Sequence, residues 1–335
     1  MWQARLTDGA VTFQVLQLGP DGRFVDRHRG GQPVGWQDIA AFLDDNLVIP
    51  PHATDIFVWV HGWRNDREDQ AIALARQVFD RVEGGYRANP ARYPRLRSFV
   101  GAYILINWPS SSLPTYRGYA RVRERAHMMT ERGHASRVLA YLLGYLDRYR
   151  GGRPARGTLR MPSGQYLHCV GHSFGGRFLA EAIVDAANPV TATLPLLPAN
   201  PRYQFTVDNL LVFQMAAPAD IFGGRLRPLL TDAGLQGPVC LTFSRHDQAT
   251  CLLHKLAERK PGIGCVGARE PAGMLASVRL RAPGDPYPAA ELSKPIVNVD
   301  ATWRYRRRLP PSGAHSDIGH AESAHLLLTL ADLAR

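Results

Sequence analysis

Gln165-Tyr166-Leu167-His168-Cys169-Val170 leads into Gly171-His172-Ser173-Phe174-Gly175, and Gly176-Arg177-Phe178-Leu179-Ala180-Glu181-Ala182-Ile183-Val184 follows. The first six residues read as a buried strand and the last nine as a helix. The five between them have the spacing G-x-S-x-G. Strand, sharp turn and helix in that order raise a serine hydroxyl above the end of a sheet. Glycine flanks such a turn because the helix backbone comes against the strand, where a Cβ would clash. Ser173 is therefore a candidate nucleophile.

Working outward, Asp55-Ile56-Phe57-Val58-Trp59-Val60 is a nearly continuous apolar run, the pattern of a central parallel strand. Residues 99–106, 209–215, 239–243 and 295–299 give further strands. Helices are expected over residues 36–47, 68–82, 225–235, 247–258 and 318–333. The span 116–149 reads as mostly helical, with Gly144 as its weak point. Residues 259–293 are rich in glycine and proline and read as irregular. Alternating strands and helices predict an α/β fold with a mainly parallel central sheet and helices on both faces. Residues 1–53, with the turn signals Asp8-Gly9 and Asp21-Gly22, read as a strand, hairpin and helix decoration. Residues 54–335 read as the main domain. Residues 188–202 carry four prolines and cannot extend the helix before them, so they are a candidate lid. Leu194, Leu196 and Leu197 in that stretch would suit an acyl chain.

The chain has 335 residues, 45% hydrophobic and 21% charged, which suits a packed globule rather than a disordered chain. No apolar run is long enough to span a bilayer. Met1-Trp2-Gln3-Ala4-Arg5-Leu6-Thr7-Asp8 lacks a secretory h-region, so the expectation is a cytoplasmic protein. The net charge is +11, but the only lysines are Lys255, Lys260 and Lys294, and the arginines are mostly scattered. That pattern does not point to a specific nucleic-acid site. Cys169 and Cys240 fall in core strands, and no Cys/His spacing suggests a metal. Cys251 and Cys265 could bridge, although nothing in their spacing requires it.

Acyl transfer by serine needs a base, a group that orients the base, and donors for an oxyanion. The donors would be the backbone N–H of Phe174, next to Ser173, and that of Trp63 in His61-Gly62-Trp63-Arg64-Asn65. His61 is expected to brace this loop rather than to act chemically. Two aspartates follow later strands. Asp247 in Ser244-Arg245-His246-Asp247 is favoured as the acid by its place after the later one, and Asp220 is the alternative. The unused aspartate would suit the N-cap of the next helix. His315 lies in the loop after the last strand and is the favoured base. His320, in the first turn of the closing helix, is the alternative, and His325 inside that helix reads as structural.

Taken together, His61-Gly62-Trp63-Arg64-Asn65, Trp108-Pro109-Ser110, Gly171-His172-Ser173-Phe174-Gly175, Ser244-Arg245-His246-Asp247 and the His315 loop resemble the α/β-hydrolase superfamily. The likeness is to a bacterial serine esterase and lipase-like branch of largely uncharacterised members. It spans about residues 54–335, and residues 1–53 have no counterpart in it. The resemblance implies an α/β-hydrolase fold, with Ser173 as nucleophile, His315 as base and Asp247 as acid. The branch usually has tyrosine and asparagine where this chain has Trp63 and Arg64, and often methionine where it has Phe174. Those departures bear on substrate preference more than on chemistry.

The expected activity is hydrolysis of a small-molecule or lipid-like carboxylic ester through an acyl-enzyme, with no metal or organic cofactor. The alternatives are an amide, peptide or thioester hydrolase with the same triad, or a non-catalytic binding protein of the same fold. Oligomeric state is not set by the sequence.

Overall fold

Strands and helices alternate along the chain. In order they are β1 (Gln14–Gln17), β2 (Val25–Asp26), β3 (Gln32–Pro33), α1 (Ile39–Asn46), β4 (Asp55–Val60), α2 (Glu68–Ala88), β5 (Gly101–Asn107), α3 (Tyr116–His127), α4 (Ala135–Tyr149), β6 (Tyr166–His172), α5 (Phe174–Ala187), β7 (Asn209–Phe213), α6 (Pro228–Thr231), β8 (Val239–Phe243), α7 (His254–Glu258), α8 (Ile263–Val266), β9 (Leu275–Arg279), β10 (Ile296–Asp300) and α9 (Ala321–Leu333). This computed structural model describes residues 11–149, 165–187, 207–231, 235–307 and 312–335.

Eight strands form one sheet in the order β1-β5-β4-β6-β7-β8-β10-β9. Every neighbouring pair in it is parallel. The short β2–β3 ribbon is antiparallel and separate. The chain thus builds an α/β fold. Strand order reverses around β4, which has β5 on one side and β6 on the other. In open parallel sheets such a reversal leaves a crevice beyond the carboxyl ends of the strands.

β4 shows why the sheet is covered on both sides. All six of its residues are buried, and alternate side chains point to opposite faces. Ile56, Val58 and Val60 join a core with Tyr119 and Val122 of α3, Leu139 and Leu142 of α4, and Phe178 of α5. Phe57 and Trp59 join a second core with Leu74, Val78 and Phe79 of α2 and Leu327 of α9. Each such side chain contributes roughly 1.5–3 kcal/mol on burial. α2 repeats apolar residues at helical spacing, from Ala71 through Val82, and carries Glu68 and Asp69 in its first turn, where the helix dipole favours acid. α3 starts where the Thr115 hydroxyl accepts a bond from the Gly118 N–H at 3.1 Å.

Several expectations change. β1 is an edge strand of the main sheet, paired with β5, and Leu16, Leu18, Phe24 and Leu43 belong to the first core. That strand is thus part of the main sheet, while the β2–β3 ribbon stays separate from it. The 116–149 span does not weaken at Gly144, which lies inside α4. It breaks earlier, where a π-helical turn over Met128–Arg132 ends at an extended Gly133. The helix expected over 225–235 is confined to Pro228–Thr231, with 232–234 outside the described residues. The 259–293 stretch contains α8 and the edge strand β9. The candidate lid at 188–202 lies outside the described residues. Among the described residues, no helix is long and apolar enough to cross a membrane.

Candidate active site

Ser173 stands between β6 and α5 with φ at 57°, the left-handed region that non-glycine residues seldom occupy. Its N–H donates to the Phe213 carbonyl at 2.9 Å, which fixes the turn to the neighbouring strand. The elbow glycines leave room for this. A Cβ on Gly175 would lie 2.1 Å from the Val60 carbonyl oxygen, so the start of α5 rests directly on the end of β4. Strain of this kind persists only where surrounding packing enforces it, and it concentrates at functional positions.

Three side chains meet at the carboxyl edge of the sheet. The Ser173 hydroxyl is 2.7 Å from His315 Nε2, and His315 Nδ1 is 2.8 Å from Asp247 Oδ2. All three are buried. With the ring proton on Nδ1, His315 donates to Asp247 and accepts from Ser173, the tautomer a general base requires. The other carboxylate oxygen of Asp247 accepts the Thr250 N–H at 3.0 Å. The acid and base loops are tied to each other as well: the Ala314 N–H donates to the His246 carbonyl at 3.0 Å, and Asp247 bridges Gly313. The favoured acid and the favoured base are thus brought together at Ser173.

The 61–65 loop lies over the same serine. A Cβ on Gly62 would come within 2.6 Å of Ser173 Cβ and 2.7 Å of His172 Nδ1, so only glycine fits there. Trp63 follows it directly. Phe174 is the first residue of α5, and an N–H in the first helical turn has no intrahelical partner. His61 is fully buried, with Nε2 at 2.7 Å from Asn107 Oδ1 and its carbonyl accepting from the Trp108 indole at 2.7 Å. Burial lowers it to about 4, so at neutral pH it is an uncharged brace for the loop.

The alternatives go elsewhere. Asp220 is not beside His315. It pairs with Lys260 at the surface, and that hydrogen bond holds its carboxyl below the usual range. It occupies the N-cap position of the next short helix but makes no side-chain cap bond, so the capping expectation also fails. His320 is not in the first helical turn but is the N-cap residue of α9, and its ring meets Asp317 at 2.9 Å. His325 is fixed by the Tyr93 hydroxyl at 2.8 Å and the Asp285 carbonyl at 2.9 Å.

Two neighbours of the site are given no role by the sequence reading. His172 is fully buried, and its Nε2–H donates to the backbone carbonyl of His315 at 2.6 Å. Burial lowers it to about 3, and the nearby His315 adds to the effect, so it remains a neutral donor that holds the base loop. Its place inside the G-x-S-x-G stretch was a usable signal. Tyr119 packs edge-on against Trp63 at 5.4 Å and tilted against Phe174 at 5.5 Å. Only the fold brings it there. A cavity of about 300 Å³ lies near it, lined by Arg123, Glu131, Arg177, Arg225 and Glu258 among others.

Cys251 and Cys265 are bridged, with their Cα atoms 4.9 Å apart. The bridge closes the segment that leaves Asp247, whose carbonyl accepts the Cys251 N–H at 2.9 Å. Cys169 and Cys240 are buried, as small apolar residues of the core. Among the described residues, no group of three or more His, Cys, Asp or Glu side chains is placed to hold a metal ion. No protein-family model matches the chain, and a search of curated proteins finds no match to it.

Proposed function

We propose that the protein is a serine hydrolase of the α/β-hydrolase type that cleaves carboxylic esters through an acyl-enzyme on Ser173. The observation that carries this reading is the unbroken hydrogen-bonded series from Ser173 Oγ through His315 to Asp247, at 2.7 and 2.8 Å, on a serine held in the left-handed region. His315 Nε2 takes the hydroxyl proton as Ser173 Oγ attacks the ester carbonyl. The N–H groups of Trp63 and Phe174 receive the negative charge that develops on the carbonyl oxygen. Asp247 orients the ring and stabilises its charged form. His315 then returns the proton to the departing alcohol. Water, deprotonated by the same nitrogen, attacks the acyl group and frees Ser173. Every step is carried by residues of the chain. The substrate class is a small-molecule or lipid-like ester.

The test is a fluorophosphonate probe together with p-nitrophenyl esters of short and long acyl chains. The parent is expected to be labelled and to turn over. Ser173→Ala is expected to lose labelling and to fall about 10⁶-fold in kcat. Equal activity in parent and variant would sink the proposal.

A further inference from the structure

Tyr119 is the buried group near the site for which the mechanism above has no use. Its side chain is fully buried, yet its hydroxyl has no hydrogen-bond partner in the structure. Other tyrosines of this fold are treated differently. Tyr305 meets Ser323 at 2.7 Å, Tyr93 meets His325 at 2.8 Å, and Tyr103 donates to Glu83 at 2.6 Å. Tyr145 donates to Asp44 at 2.7 Å, and Tyr86 to the Leu96 carbonyl at 2.6 Å. The fold satisfies these hydroxyls with protein partners and leaves the Tyr119 donor without one, so that it can meet a group that arrives later.

Its surroundings say what arrives. The ring packs on Trp63 and Phe174, the two residues whose N–H groups face the carbonyl oxygen in the proposed reaction, and on His254 beyond Asp247. The charges felt by the hydroxyl are those of Asp247, then Glu258, Arg123 and Arg177. The last three line the cavity, and Arg123 stands one helical turn beyond Tyr119 on α3. Burial, reinforced by the Asp247 charge, pushes this phenol well above its ordinary range, so it stays protonated and is available as a donor. Other unpartnered buried groups accompany it: His172 Nδ1 beside Ser173, and Thr250 Oγ1 on the turn that caps Asp247.

We propose that Tyr119 is a further catalytic residue, its hydroxyl donating a hydrogen bond to the carbonyl oxygen of the bound ester as negative charge forms there. The inference rests on the serine-hydrolase reading and adds a side-chain donor to the two backbone donors. The donor is rigid, because α3 and two aromatic neighbours hold its ring, and such preorganised donors act most strongly on developing charge.

The experiment compares the parent with Tyr119→Phe, which keeps the ring and its packing. Three quantities are read: steady-state kinetics on p-nitrophenyl butyrate, inhibition by phenylboronic acid (which forms a tetrahedral adduct on an active serine), and the melting temperature. The expected result is a fall in kcat of about 10²-fold with little change in KM. The boronate inhibition constant should rise by a similar factor, and the melting temperature should be unchanged or higher because an unpaired buried hydroxyl is gone. A merely structural Tyr119 would instead lower the melting temperature and leave the boronate affinity alone, which overturns the proposal. An unchanged kcat, or a loss confined to KM, overturns it too. If the parent itself neither hydrolyses the ester nor reacts with a fluorophosphonate, the serine-hydrolase reading falls and this inference with it. An active parent with an equally active Tyr119→Phe defeats the Tyr119 assignment alone.

Discussion

Among the described residues, two buried aspartate–histidine pairs have the same length and stand at opposite ends of the strands of one sheet. At the carboxyl edge His315 Nδ1 lies 2.8 Å from Asp247, and at the amino edge His168 Nε2 lies 2.8 Å from Asp55. All four side chains are buried. The difference lies in what the second nitrogen and the remaining carboxylate oxygen do. His168 Nδ1 accepts from the Asn209 amide at 3.1 Å, and Arg335 grips both oxygens of Asp55 at 3.1 and 2.7 Å. Every polar group of that histidine ring is tied to another protein group, so the pair can only brace. His315 instead presents Nε2 to a serine hydroxyl, beside the loop that Gly62 brings against Ser173. An Asp–His contact is therefore no mark of catalysis in itself. The group on the far nitrogen is what separates the two pairs.

Changing the two aspartates separately should break the comparison cleanly. Asp247→Asn is expected to leave the fold in place, because the amide can still meet its neighbours, while His315 loses the acceptor that fixes its tautomer. kcat should fall about 10⁴-fold on an ester substrate. A loss under tenfold would mean that Asp247 is not the orienting acid.

Asp55→Asn should do the reverse. It leaves the largely covered Arg335 guanidinium without its fully buried counter-charge, and breaking a buried pair on one side costs about 3–5 kcal/mol. Urea titration measures that loss, and kcat per folded molecule should not change. Acid sharpens the point. Burial works to raise the Asp55 carboxyl, but the hydrogen bond from His168 and the Arg335 guanidinium outweigh it and hold it below the ordinary 3.8. A depressed carboxylate stabilises the fold fully above that ordinary value, and the contribution disappears as pH falls through the folded one. The stability gap between parent and Asp55→Asn should therefore stay constant down to about pH 4 and close below it.

The smallest effect is expected at Asp220. Its carboxylate pairs with an exposed lysine, and such pairs contribute little. Asp220→Ala should match the parent in kcat and in melting temperature. A large activity loss there would return Asp220 to the list of acids.

The carboxyl edge was far more legible in the sequence than the amino edge. Ser173 announces itself because strand, turn and helix are contiguous. Asp247 and His315 follow from their places after successive strands. The second pair leaves no local trace: Asp55 opens an apolar run, and its partners are 113 and 280 positions away. Position alone also placed the helical break wrongly. Gly144 has open space where its Cβ would be and lets α4 continue, whereas Gly133 is packed against the carbonyls of Asp21 and Met129. β9 escaped because an edge strand is half exposed, and Leu275–Arg279 has neither a continuous apolar run nor a clean alternation. Tyr119 escaped because an unpaired hydroxyl is a property of the packed interior.

The all-parallel sheet has a kinetic consequence. No parallel pair of strands can close as a local hairpin, so each register waits for a crossover segment to be placed. Ser173 is 142 positions from His315, and His315 is 68 from Asp247. Helices nucleate and grow in about a microsecond, whereas pairings of such long range belong to the slow end of folding. During refolding, helical signal should return well before the three side chains meet. A chain halted partway would carry nearly native helix content around a serine still lacking its base.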